Sequence, residues 1–173
     1  VTLTGSEKAG SAVAEIAGRH IKKSLLELGG NNAFIVWPDA DMDKTVQTAL
    51  TARMLNCGQS CIAAKRFILV GDAYEKFVPK FVAAVRELKS GEPLETGTQV
   101  GPLARKDLAD QLQKQVVDSV AEGAELLLGG KAIVVGSFNI LSGKMVRASN
   151  RAGTMCYGTD GECVSDRRIS DYY

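Results

Sequence analysis

The sequence predicts an α/β fold in which a mainly parallel sheet is flanked by helices and followed by an irregular C-terminal tail. Three observations predict it. Strand-like and helix-like segments alternate from residue 1 to about 130, the pattern of a sheet covered by helices. Ala33-Phe34-Ile35-Val36-Trp37 is short and nearly all apolar, as in a buried parallel strand. After Lys131 the chain mixes Ser, Gly, Asn, Arg and Asp with isolated apolar residues and shows no sustained period. The 173 residues, 45% of them apolar, suffice for a full-sized core.

Val1 to Thr4 carries the β-branched alternation of a strand, and Gly5-Ser6 turns it into a helix marked by Ala9, Val13, Ile16 and Ala17. Gly5 and Ser6 then lie at a helix N-terminus, where backbone N–H groups and the helix dipole favour phosphate. The same residues also suit an ordinary capped helix. Ile21 to Leu28 reads as a second strand ending at Gly29-Gly30. Glu27, among Leu25, Leu26 and Leu28, is expected to be a partly buried carboxylate with the raised pKa of a useful base.

Ala33 to Trp37 is the third strand, with Asp39 and Asp41 as turn and cap. From Met42 a helical pattern runs through Val46, Leu50, Arg53, Met54 and Cys57 and is predicted to end at Gly58. Cys61 falls in the loop beyond it. Such a thiol is either inert or, with help from local N–H groups and a base, a nucleophile. Arg66 to Val70 is the next strand. Asp72 to Ser90 is an amphipathic helix whose Tyr74, Phe77, Phe81, Val85 and Leu88 form a core stripe. A turn-rich stretch from Gly91 to Leu103 leads to a helix through Leu108, Leu112, Val116 and Val120, closed by Gly123, and then to a strand at Leu126 to Leu128.

Lys plus Arg (21) balances Asp plus Glu (20), so no broad field favours nucleic acid or an anionic membrane, and no apolar run reaches the roughly 20 residues of a membrane span. The first residues lack the features of a signal peptide, and the chain reads as starting mid-protein. Four cysteines, Cys57, Cys61, Cys156 and Cys163, are too few for a disulfide scaffold and point to a reducing compartment. A four-thiolate zinc site is the competing use of these residues, but the spacing between Cys156 and Cys163 is wide for one, and no metal is expected.

Four segments together resemble the NAD(P)-dependent aldehyde dehydrogenase superfamily. They are Val1-Thr2-Leu3-Thr4-Gly5-Ser6, Leu26-Glu27-Leu28-Gly29-Gly30, Asn56-Cys57-Gly58-Gln59-Ser60-Cys61 and Gly101-Pro102-Leu103. Thr51 to Met54 and Ile62 to Phe67 are most similar to the bacterial succinate-semialdehyde dehydrogenase branch. The resemblance implies residues 1–29 as the end of a dinucleotide-binding domain and 30–132 as the first half of a catalytic domain. Residues 133–173 are a divergent tail in which Gly136 to Leu141 reads as a remnant.

The resemblance also implies a mechanism. Cys61 attacks an aldehyde, and Glu27 activates water to hydrolyse the resulting thioester. The Cys61 backbone N–H helps hold the oxyanion. Gly5 and Ser6 contact the phosphate of NAD or NADP, and the backbone near Leu28 and Gly29 lies against the nicotinamide. Cys57 has no catalytic counterpart and is expected to pack in its helix. The implied partners are a small aldehyde and, for full-length relatives, further copies of the same chain, in the cytoplasm or, in a eukaryote, the mitochondrial matrix. Groups expected on either side of the match are missing. The alternative is therefore a catalytically silent fragment that pairs through sheet edges with a full-length relative.

Overall fold

The computed structural model describes residues 1–135, 138–141, 145–147 and 154–156, with side chains as far as residue 132. The chain divides into two compact units, the first Val1–Asn31 and the second beginning at Asn32.

The first unit is a strand-helix-strand element: β1 (Thr2–Thr4), α1 (Glu7–Arg19) and β2 (Leu25–Glu27). The two strands run parallel, with Thr2 opposite Leu25 and Thr4 opposite Glu27. Ser6 caps α1, its hydroxyl oxygen accepting the Ala9 N–H at 3.2 Å. The second strand is shorter than the predicted Ile21 to Leu28. Ile21 takes a left-handed φ of 54°, and the Lys22 N–H donates back to the Ala17 carbonyl at 2.9 Å, so these residues finish the helix instead.

The second unit opens with β3 (Asn32–Val36), α2 (Met42–Met54), a 3-10 turn at Leu55–Gly58 and β4 (Ala64–Leu69). It continues through α3 (Ala73–Arg86), α4 (Lys106–Ala121), β5 (Glu125–Leu128), β6 (Ala132–Val135), β7 (Phe138–Leu141), β8 (Met145–Arg147) and β9 (Thr154–Cys156). Asp41 caps α2 by accepting the Lys44 N–H at 3.1 Å. Gly123, at φ 99°, follows α4, where a left-handed residue suits glycine.

Five strands form one sheet in the order β3-β4-β9-β8-β5, and β6 pairs with β7 alone. β3 and β4 are parallel, while β4–β9, β8–β9, β5–β8 and β6–β7 are antiparallel. The α/β class stands, with the parallel pairs β1–β2 and β3–β4 where the alternation placed them, but the five-stranded sheet is mixed and not mainly parallel, because β8 and β9 return antiparallel between β4 and β5. The tail differs from the irregular stretch expected of it, since short strands occupy parts of 132–156. Strands of three or four residues hold too few alternations to show a period. The rest of the predicted tail lies outside the described residues.

The core of this unit is the predicted aromatic stripe of α3 packed on β4. Phe67, Phe77 and Phe81 are fully buried, with Phe67–Phe81 and Phe77–Phe81 ring centroids 5.1 and 5.0 Å apart. Burying each ring contributes about 2–3 kcal/mol. Phe34 and Val36 join this core from β3. Their neighbours Ile35 and Trp37 are 63% and 59% exposed, so β3 is not buried on both faces as its composition suggested. It is an edge strand covered on one side, and alternate residues face outward.

Candidate active site

In the first unit, β1 and β2 end side by side, and the Gly5 N–H donates to the Glu27 carbonyl at 2.9 Å. This register brings five of the predicted residues, Gly5, Ser6, Glu27, Leu28 and Gly29, to the carboxyl ends of two parallel strands, where α/β folds collect ligand groups. Ser6 is the N-cap of α1, so the first-turn amides that follow it have no backbone partner within the helix. One oxygen lone pair of Ser6 is taken by Ala9, which leaves its O–H free to act as a donor. A Cβ at Gly10 would stand 2.7 Å from the Leu28 Cδ2 atom; glycine there lets α1 close on Leu28. These features fit a phosphate at the helix N-terminus. Glu27 itself is exposed, contrary to the enclosure its leucine neighbours suggested. The strand is three residues long, and alternation turns Leu26 inward and Glu27 outward.

In the second unit, Cys61 is an exposed free thiol on the loop between α2 and β4. Gly58 does not end the helix as predicted. Leu55 already leaves it with an extended ψ of 131°. The chain then reverses through three left-handed residues, Asn56 (φ 52°), Cys57 (φ 56°) and Gly58 (φ 80°). Asparagine and glycine tolerate that region, whereas cysteine is strained in it. Side-chain contacts hold the reversal: Asn56 Nδ2 donates to the Gln59 carbonyl and Gln59 Nε2 to the Asn56 carbonyl, both at 3.3 Å.

Cys57 therefore does not pack within a helix. Its Sγ accepts the Gly101 N–H at 3.2 Å, and Gln59 Oε1 accepts the Ala104 N–H at 2.9 Å. The Gly101-Pro102-Leu103 turn is thus fastened to the cysteine loop, which gives two distant motifs one physical function. A Cβ on Gly101 would lie 3.8 Å from this sulfur, in ordinary contact, so the residue matters here for its N–H.

Two buried cations, not singled out from the sequence, organise the loop from below. Arg53 is fully buried and donates from Nη1 to the Ala64 carbonyl at 2.9 Å and from Nη2 to the Gly58 carbonyl at 2.6 Å, clamping both ends. Lys65, 5% exposed, donates from Nζ to the Ser60 and Cys61 carbonyls at 3.0 and 3.1 Å. The available signal was Arg53 standing within the apolar stripe of Val46 and Leu50. A cation at a core position must be paired. Cys156 and Cys163, which a zinc site would need, have side chains outside the described residues.

Among the described residues no helix is long and apolar enough to cross a membrane. A profile of the aldehyde dehydrogenase family matches residues 1–142, a span that includes Gly136 to Leu141. The chain is 57% identical over 132 residues to a succinate-semialdehyde dehydrogenase [NADP(+)] of Mycobacterium avium, covering 76% of this chain and 28% of that protein. Its fold matches the crystal structure of succinate-semialdehyde dehydrogenase from Burkholderia pseudomallei with a TM-score of 0.78 and 34% identity, over 84% of this chain and 30% of that one. Betaine aldehyde dehydrogenase from Staphylococcus aureus, solved with NAD+, matches with a TM-score of 0.80 and 26% identity, over 84% of this chain and 30% of that one. The chain thus spans about 28% of the length of the curated relative. With the family profile covering most of its length, this chain belongs to the aldehyde dehydrogenase family.

Proposed function

We propose that this chain carries the nucleophile and base of an NADP+- or NAD+-dependent oxidation of an aldehyde to its carboxylic acid, with succinate semialdehyde as the substrate. The observation that carries the proposal is Cys61, an exposed free thiol on a loop whose carbonyls are drawn inward by buried cations. Substrate and NADP+ follow the name of the mycobacterial relative, and NAD+ follows the betaine aldehyde dehydrogenase solved with it.

The Cys61 sulfur adds to the aldehyde carbon, and the carbonyl oxygen becomes a tetrahedral oxyanion facing the Cys61 N–H. Gly5 and Ser6 would hold a cofactor phosphate, with the backbone at Leu28 and Gly29 beside the nicotinamide. Bound NAD(P) supplies the hydride acceptor. Cys61 is then acylated as a thioester. Glu27 takes a proton from water, which attacks the acyl carbon, expels the Cys61 thiolate and releases the acid. An exposed Glu27 suits a base that must reach water.

The test is absorbance of reduced cofactor when the purified chain meets succinate semialdehyde with NADP+, and in parallel with NAD+. Cys61→Ser should abolish turnover, and Glu27→Gln should slow it after the first acylation. Turnover that survives Cys61→Ser contradicts the proposal. A second reading, a silent chain that pairs with a longer relative, is favoured by the edge position of β3 and the exposure of Ile35 and Trp37. It predicts no turnover and co-elution with that relative.

A further inference from the structure

The Lys65 ammonium lies behind the peptide that carries the nucleophile. Register puts it there: Asn32 pairs with Ala64 and Ala33 with Arg66, so Lys65 is the extra residue of a bulge between β3 and β4. Bulges beside active sites re-aim a side chain out of the ladder. Here the side chain runs beneath the loop, and Nζ reaches the Ser60 carbonyl at 3.0 Å and the Cys61 carbonyl at 3.1 Å. The Ala63 N–H also donates to the Ser60 carbonyl, at 3.1 Å.

The Ser60 carbonyl and the Cys61 N–H belong to one trans peptide group and point in opposite directions. An ammonium that fixes the carbonyl on the inner side fixes the N–H toward the outer side, where the Cys61 thiol is exposed. A charge-assisted bond to the carbonyl also polarises the amide and makes its N–H a stronger donor. The Cys61 carbonyl orients the Ile62 N–H in the same way. Arg53 secures the loop at Gly58 and Ala64, and Lys65 sets its centre.

We infer that Lys65 is a positioning residue for oxyanion stabilisation, holding and polarising the Cys61 N–H through the Ser60 carbonyl. This rests on the reading of Cys61 as an acyl-accepting nucleophile. Removing an oxyanion donor outright costs about 10²–10³ in rate. Here the donor stays but loses its anchor, so the expected loss is about tenfold.

The test compares two reactions of Cys61 in the purified chain and adds one spectrum. Hydrolysis of p-nitrophenyl acetate passes through an oxyanion, whereas alkylation by iodoacetamide does not. Lys65→Met should lower the cysteine-dependent esterase rate about tenfold while changing the alkylation rate less than about twofold, and Lys65→Arg should restore most of the loss. The carbonyl-carbon resonance of Ser60 and the amide resonance of Cys61 should move in Lys65→Met and return in Lys65→Arg. If Lys65→Met does not fold, Lys65→Gln carries the same comparison with a neutral donor. Unchanged resonances, an unchanged esterase rate, or equal losses in both reactions overturn the inference. A wild-type chain that alkylates normally but shows no Cys61-dependent ester cleavage overturns the nucleophile reading instead, and the resonances still decide whether Lys65 orients the peptide.

Discussion

Cys57 and Cys61 differ by one helical turn in sequence and by everything else in environment. Cys61 is exposed on its loop, whereas Cys57 sits at φ 56° with its sulfur bonded to the Gly101 N–H. Cys57→Val should destabilise the chain by about 2–3 kcal/mol, from a branched side chain in the left-handed region and a lost acceptor. Cys57→Ser, which keeps an acceptor, should cost less than about 1 kcal/mol. Urea unfolding monitored by circular dichroism measures both, and a Cys57→Val variant as stable as the wild-type chain would mean that neither the left-handed backbone nor the sulfur contact matters to stability. At this scale the placement of Gly5 and Ser6 at the start of α1 and of Cys61 on the loop after α2 was legible, because turn and cap signals are local. The exposure of Glu27 was not legible, because leucine neighbours in sequence are not neighbours on one strand face. Lys65 was equally hidden: its partners are main-chain carbonyls, which every sequence contains.

The element that matters most is the passage from α2 through the turn at Leu55–Gly58 to β4. Arg53 closes it, joining the last turn of α2 to the carbonyls of Gly58 and Ala64. Arg53→Met should remove the guanidinium donors from the Gly58 and Ala64 carbonyls and cost about 3 kcal/mol, with Arg53→Lys in between, because one ammonium cannot reproduce the fork of a guanidinium. Denaturant midpoints give the first comparison, and faster proteolytic cutting between residues 55 and 63 gives a local one. Stability unchanged in Arg53→Met would mean that the clamp does not hold the passage together. The helices were readable from period and caps: Asp41 and Ser6 stand where capping residues should, and the aromatic stripe of α3 is core. The end of α2 lies before Gly58, since Asn56 and Cys57 already turn left-handed, and a cysteine there carries no turn signal in the sequence.

For the whole molecule, the alternation of strands and helices conveyed the α/β class and the parallel pairs β1–β2 and β3–β4. It could not convey β8 and β9, short strands that return antiparallel between β4 and β5, because pairing over such distances is decided by register and not by local pattern. The family is secure over residues 1–142, and the chain spans about 28% of the length of its mycobacterial relative. In the proposed reaction this stretch contributes the acyl-accepting thiol together with the loop that presents it. The most direct measurement is mass-spectrometric mapping of the chain quenched during reaction with p-nitrophenyl acetate, with fragment ions separating Cys57 from Cys61. An acetyl group is expected on Cys61, absent from Cys57 and lost in Cys61→Ser. Acetylation of Cys57 alone, or none on a Cys61 that iodoacetamide still alkylates, would contradict the assignment of Cys61 as the nucleophile.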